Sequence, residues 1–139
     1  MDRSGTLLYD GDCGLCVATA TWLGEQVPAS RLGLLPLQLV ATDPEIAELV
    51  EGRALAEEVH FVRADGAILT GAAAVLAAGR LVPFVGRYAA LLDRPIGLEL
   101  LEPLYREIAS HRRLIGRLLG VPAECPLPTR HQEGRTWAA

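Results

Sequence analysis

Residues 9–16, which read Tyr-Asp-Gly-Asp-Cys-Gly-Leu-Cys, place two thiols three positions apart at the junction of a strand and a helix. The apolar residues 7–9 are typical of a short buried strand, and the Asp-Gly-Asp run at 10–12 predicts a turn. An amphipathic helical pattern then runs from about residue 13 to residue 26. A Cys-x-x-Cys pair that opens a helix after a strand is typical of a thioredoxin-like redox site.

The two cysteines are predicted to differ in exposure and therefore in role. Cys16 falls on the apolar face of the helix and is expected to face inward. Cys13 lies in the first turn, near the open helix end, and is expected to be the more accessible thiol. Unpaired N–H groups and the positive end of the helix dipole favour a thiolate there, although neighbouring carboxylates oppose it. We therefore predict that Cys13 is the nucleophile and Cys16 the resolving thiol.

Two aspartates beside the pair are candidate site residues. Asp12 immediately precedes the helix and is predicted to be its N-cap. Asp10, at the end of the strand, could accept a proton from Cys16 during resolution. An aspartate before a glycine equally predicts a turn, so both roles remain open for Asp10.

Composition limits the classes of function that the chain can serve. Its 139 residues predict one domain, and charges interrupt every apolar run before a membrane-spanning length is reached. The net charge of −4 gives no support to nucleic-acid binding. The polar residues 1–5 leave no room for a secretory signal, which predicts a soluble cytoplasmic protein. Three cysteines, an odd number, argue against a disulfide framework.

The order of predicted elements, β-α-β-α-β-β-α over residues 1–80, is that of a thioredoxin or glutaredoxin core. This order predicts a mixed sheet with helices on both faces and the first strand in a central position. Pro36 cannot donate a hydrogen bond within a sheet, so the second strand is predicted to lie at an edge or to end there. Asp43 and Pro44 predict the start of a short helix. The Asp-Gly pair at 65–66 predicts a β-hairpin.

Residues 81–120 are predicted to form a helical extension that packs on this core within the same domain. One helix is expected over 84–92, and a second is expected to open at Pro103 and run to about Leu119. Its apolar stripe should be covered by the core, and the dipole of its C-terminus accounts for the nearby arginines. Residues 121–139 are predicted to be a loop and a mobile tail. The stripe comprises Leu104, Ile108, Ile115 and Leu118, and the arginines are Arg112, Arg113 and Arg117.

The chain resembles the DCC family of thiol-disulfide oxidoreductase-like proteins, named for an Asp-x-x-Cys-x-x-Cys motif. The resemblance implies a thioredoxin-like fold and dithiol–disulfide exchange, and it extends from Leu7 to about Cys125. Thioredoxins place a cis-proline before the third strand, whereas residues 54–59 here contain no proline. The matching residues are Asp10, Cys13 and Cys16 in the motif, then Pro36-Leu37-Gln38, Tyr105-Arg106-x-Ile108-Ala109, Arg112 and Gly116.

These patterns predict a thiol-disulfide oxidoreductase without an organic cofactor. Its partners would be a disulfide-containing protein or small thiol substrate and an electron donor that the sequence does not identify. One alternative is a non-catalytic interaction module of the same fold, with the helical extension as its partner surface.

A zinc-binding domain is the other alternative, and it would draw on the third cysteine. Structural zinc usually takes four ligands, commonly from two spaced pairs, and only one Cys-x-x-Cys pair is present. Cys125 is therefore predicted to be a packing residue, and no metal is predicted. The zinc ligands would be Cys13, Cys16, Cys125 and one of His60, His111 and His131.

Overall fold

The computed structural model describes residues 4–120, in which four strands form one mixed sheet of order β2-β1-β3-β4. Strand β1 (Gly5–Tyr9) runs parallel to β2 (Leu32–Pro36) and antiparallel to β3 (His60–Arg63), which pairs antiparallel with β4 (Ile68–Thr70). The predicted interior position of the first strand is confirmed. The predicted edge position of the second strand, which ends at its proline, is confirmed as well.

Two local turn and cap signals position the neighbouring elements as predicted. In the β3–β4 hairpin, Gly66 has a φ of +84°, a left-handed conformation that glycine adopts without a side-chain clash. The preceding Asp65 accepts a hydrogen bond from Ala67 N–H at 3.0 Å. Farther back, Asp43 caps the second helix by accepting the Ile46 N–H at 3.3 Å.

Helices cover both faces of the sheet because successive side chains of β1 point to opposite sides. Leu7 and Tyr9 enter a core with the first and third helices, whereas Leu8 enters a second core with Ile46 of the second helix. The arrangement is that of a thioredoxin-like α/β fold, as predicted. The helices are α1 Gly14–Gln26, α2 Pro44–Leu49, α3 Gly71–Gly79, α4 Gly86–Leu92, α5 Pro95–Ser110 and α6 Arg112–Leu118, and a 3₁₀ helix spans Leu37–Thr42.

The prediction that a helix begins at Pro103 is wrong, because this proline lies inside α5. The helix begins at Pro95 instead, where the missing N–H is one of the unpaired groups of a first turn. It ends at Ser110, and α6 follows as a separate short helix after His111. The predicted continuous helix to about Leu119 is therefore two helices.

Polar side chains of α5 contact the start of α3 and the segment before β3, and the predicted apolar stripe is not covered by the core. Glu102 accepts the N–H of Ala72 at 3.1 Å, at the start of α3. The hydroxyl of Tyr105 accepts the N–H of Val59 at 2.9 Å, immediately before β3. Of the predicted stripe, Leu104, Ile108 and Leu118 are all exposed.

Within residues 4–120, none of the helices combines the length and the apolar character needed to cross a membrane. The predicted loop and tail at 121–139, with Cys125 and His131, lie outside the described residues.

Candidate active site

The two cysteines lie where β1 leads into α1, and both are free thiols. Cys13 is the N-cap of α1, with extended backbone angles of φ −104° and ψ 113°. Its Sγ accepts the N–H of Cys16 at 3.4 Å, and the two residues approach each other to 2.9 Å. The predicted N-cap role of Asp12 is thus wrong, since Asp12 lies one position before the cap and bonds Gln38 instead.

The expected difference in exposure between the two thiols is reversed. Cys13 has only 1% of its surface exposed, whereas Cys16 is partly exposed. The Sγ of Cys13 folds back over the first turn to act as the cap, and helix α6 lies close to the same turn. A Cβ built on the buried Gly116 of α6 would lie 3.5 Å from the N of Leu15. Capping and cover by α6 therefore bury the thiol that was expected to be open.

The thiol of Cys16 is difficult to ionise. Burial raises its pKa to about 12, and the hydrogen bond with Cys13 and the negative charge of Cys13 act in the same direction. The guanidinium of Arg112 lowers this pKa, and the carboxylate of Asp10 raises it. At neutral pH Cys16 is a protonated thiol, so any attack by its sulfur requires an acceptor for the proton.

Gln38 organises the turn that precedes the pair. Its Nε2 donates to Asp10 Oδ1 at 3.1 Å and to Asp12 Oδ2 at 3.0 Å. Its Oε1 accepts the N–H of Gly11 at 3.0 Å. One amide thus holds both carboxylates and the backbone between them. The sequence resemblance included Gln38, but no local pattern assigned it a role beside the thiols.

Arg112 is a site residue whose role sequence reasoning missed. Its Nη2 donates to Asp10 Oδ2 at 3.2 Å and to the carbonyl of Ala56 at 3.1 Å, and both charged side chains are largely buried. The prediction that a helix C-terminal dipole explains this arginine is wrong, because Arg112 is the first residue of α6. A buried carboxylate in the Cys-x-x-Cys turn was the available signal that a cation must lie nearby.

Cys16 borders an apolar groove of about 400 Å³ between the sheet and the C-terminal helices. Asp10 and Arg112 form its polar end beside the thiol. The hydroxyl of Tyr9, another lining residue, is buried and has no hydrogen-bond partner within residues 4–120. Its other walls include Trp22, Val75, Tyr88, Leu92 and Tyr105.

Cys13 borders a different cavity, of about 280 Å³, on the side of α6. The two thiols therefore meet surroundings of opposite chemistry, one apolar and the other charged. The lining of this cavity comprises Asp12, Cys13 and Gly14 from the turn and Arg112, Arg113, Gly116 and Arg117 from α6.

The histidines considered as zinc ligands have other contacts. His60 is buried in β3, with its Nδ1 2.9 Å from the carbonyl of Glu58. His111 lies between α5 and α6, with its Nδ1 3.0 Å from the carbonyl of Glu107. No three His, Cys, Asp or Glu side chains between residues 4 and 120 come together as a metal site.

A protein-family model described as DCC1-like thiol-disulfide oxidoreductase matches residues 7–118. No curated protein and no solved structure matches the chain.

The pH dependence of Cys16 alkylation follows from its raised pKa. In Cys13→Ser, the rate at which iodoacetamide alkylates Cys16 should rise with pH. The midpoint of this rise should lie above the ordinary 9.0 but below about 12. Burial, the largest cause, persists in this variant, whereas the negative charge of Cys13 is removed. The rate is measured by mass spectrometry, and unfolding the same variant in urea should restore the ordinary midpoint. A folded-state midpoint at or below 9.0 would contradict the assignment.

Proposed function

Since the chain belongs to the DCC1-like thiol-disulfide oxidoreductase family, we propose that it exchanges a dithiol for a disulfide through Cys13 and Cys16. The substrate is a disulfide-containing protein or a small thiol in its disulfide form. The observation that carries the proposal is the hydrogen bond from Cys16 N–H to Cys13 Sγ at the start of α1. This bond holds the sulfur of Cys13 beside Cys16, the placement that exchange between a dithiol and a disulfide requires.

The exchange takes two steps whose atoms and electrons balance. The Cys13 thiolate attacks one sulfur of the substrate, so that a mixed disulfide forms and the other substrate sulfur leaves as a thiolate. Cys16 then gives up its proton and attacks the Cys13 sulfur, which releases the second substrate thiolate. The substrate gains two electrons and the protein becomes a disulfide, which an external thiol donor reduces again.

We assign the acceptance of the Cys16 proton to Asp10. Both side chains border the apolar groove, and the charge of Asp10 acts on the pKa of Cys16. A carboxylate offers about four acceptor positions. Three of them are filled by the N–H of Asp12, by Gln38 and by Arg112, with two donors on Oδ1 and one on Oδ2. A position on Oδ2 therefore remains for a proton.

A redox titration tests the exchange function directly. In graded dithiol buffers, the purified protein should show one transition in which two thiols disappear together, and Cys13→Ser should abolish it. Free thiols are alkylated and counted by mass, and Cys125→Ser serves as the control that keeps the transition. Failure to form a Cys13–Cys16 disulfide in any buffer would sink the redox function.

The role of Asp10 is tested by separating the two steps of exchange. Asp10→Asn should slow resolution by Cys16 on the order of 10²-fold, the scale of general base catalysis, and spare the first attack. Stopped-flow mixing with a chromogenic disulfide measures the first step, and quenching with acid measures the mixed disulfide that accumulates. Asp12→Asn is the matched control, because it removes a neighbouring carboxylate that also bonds Gln38. Equal resolution rates in wild type and Asp10→Asn would leave Asp10 only its part in the turn.

A second candidate function, a non-catalytic interaction module, is favoured by the exposed face of α5. Ile96, Leu100 and Leu104 recur every fourth residue and are 73%, 72% and 55% exposed. None of the residues of α5 is buried. An apolar helix stripe of this kind often marks an interface.

Sedimentation equilibrium tests the interaction module through self-association. With both active-site cysteines changed to serine, the protein should show concentration-dependent association if α5 is an interface. Adding Leu100→Glu should then abolish it, because a charge in an apolar interface is costly. Leu49→Glu, on α2, is the control and should leave association intact. A protein that is monomeric at every concentration would contradict self-association through this face.

A further inference from the structure

We propose that the arginine-lined cavity beside Cys13 binds the carboxylate of a small anionic disulfide and presents its sulfur to the nucleophile. This anion site rests on the proposed exchange function and specifies its substrate class. The cavity is bordered by Cys13 itself, by Asp12 and Gly14, and by three arginines of α6. A disulfide attacked by Cys13 therefore approaches from the arginine side, since the apolar groove borders Cys16 and not Cys13.

The positive charges of the arginines in this cavity are not all neutralised by carboxylates of the protein. Arg112 is paired with Asp10, but Arg113 and Arg117 are exposed, and their guanidinium groups have no hydrogen-bond or ion-pair partner in the part of the chain that the structure describes. They lie four positions apart on one face of a helix, where like charges repel each other. The lining includes one carboxylate, that of Asp12, whose Oδ2 accepts from Gln38.

This positive concave surface stands out because the protein as a whole carries a net charge of −4. A cavity of one sign attracts ligands of the opposite sign and raises their local concentration. Guanidinium groups match carboxylates in particular, because they donate two parallel N–H bonds to the two oxygens. An anionic substrate would relieve the repulsion between Arg113 and Arg117 when it binds.

The size of the cavity favours a small molecule over a folded partner. Its volume of about 280 Å³ lies just below the range of ordinary ligand pockets, which hold roughly 300 to 1,000 Å³. Gly116 lies between Arg113 and Arg117 and is buried where α6 approaches α1, so no side chain there occupies the space. A carboxylate-bearing arm of a small disulfide fits this space, with its sulfur directed at Cys13.

A set of three small disulfides tests the charge preference. The reduced protein is mixed with 3,3′-dithiodipropionate, which is anionic, with neutral 2-hydroxyethyl disulfide, and with cationic cystamine. We expect the rate constant for the anionic compound to exceed that for the cationic one. Changing Arg113→Gln and Arg117→Gln together should lower this ratio about tenfold, and added salt should lower it in the wild type. Arg63→Gln is the control, because Arg63 pairs with Asp65 in the distant hairpin, and it should leave the ratio unchanged.

A binding measurement separates the site from the chemistry. 3,3′-Thiodipropionate carries the same carboxylates but has no disulfide, so calorimetry reports binding without exchange. The double arginine variant should weaken its binding about tenfold relative to wild type and to Arg63→Gln. If all three disulfides react and the double variant leaves the ratio of the anionic to the cationic rate constant unchanged, the anion site is overturned. The exchange function then still stands. No exchange with any of the three disulfides, or unaltered binding by the variant, would overturn the anion site, whereas the exchange function itself fails only if the redox titration yields no Cys13–Cys16 disulfide.

Discussion

The hydrogen bond between Cys16 N–H and Cys13 Sγ is the interaction on which the candidate site depends. Every helix begins with N–H groups that have no partner inside the helix, and a side chain usually accepts one of them. In α1 that acceptor is the sulfur of Cys13. The same atom therefore caps the helix and belongs to the residue that we propose as the nucleophile. This bond folds the sulfur over the first turn and sets its position relative to Cys16.

Around this bond, a polar cluster makes the turn depend on distant parts of the chain. Gln38, just beyond β2, fastens Asp10 and Asp12, and Arg112 brings the start of α6 to the same carboxylate. The C-terminal helices thus contribute directly to the site, although a minimal thioredoxin-like sheet does not require them. Two further polar contacts join α5 to the core, while much of the apolar surface of these helices is exposed.

The two thiols lie close together but have different surroundings. Cys16 borders an apolar groove and keeps its proton, because burial and the charge of Cys13 both raise its pKa. Cys13 borders a cavity lined by three arginines. These surroundings agree with the exchange that we propose, in which one sulfur meets a charged reagent and the other acts only on the mixed disulfide. Asp10 and Arg112 lie beside Cys16 and act on its pKa in opposite directions: the carboxylate raises it and the guanidinium lowers it.

The sequence by itself determined the elements whose signals are local: the strand, turn and helix around the Cys-x-x-Cys pair, the hairpin at Asp65-Gly66 and the order of strands and helices along the chain as far as α3. Periodicity and turn chemistry act over a few residues, so they could be read without the fold. Only the tertiary structure decided that Arg112 meets Asp10 across 102 positions of sequence, and that α6 covers Cys13. A local pattern carries no information about such separations. The exposure of each thiol and the charge of its cavity therefore depend on packing, and the prediction of the exposures from helix position alone was wrong.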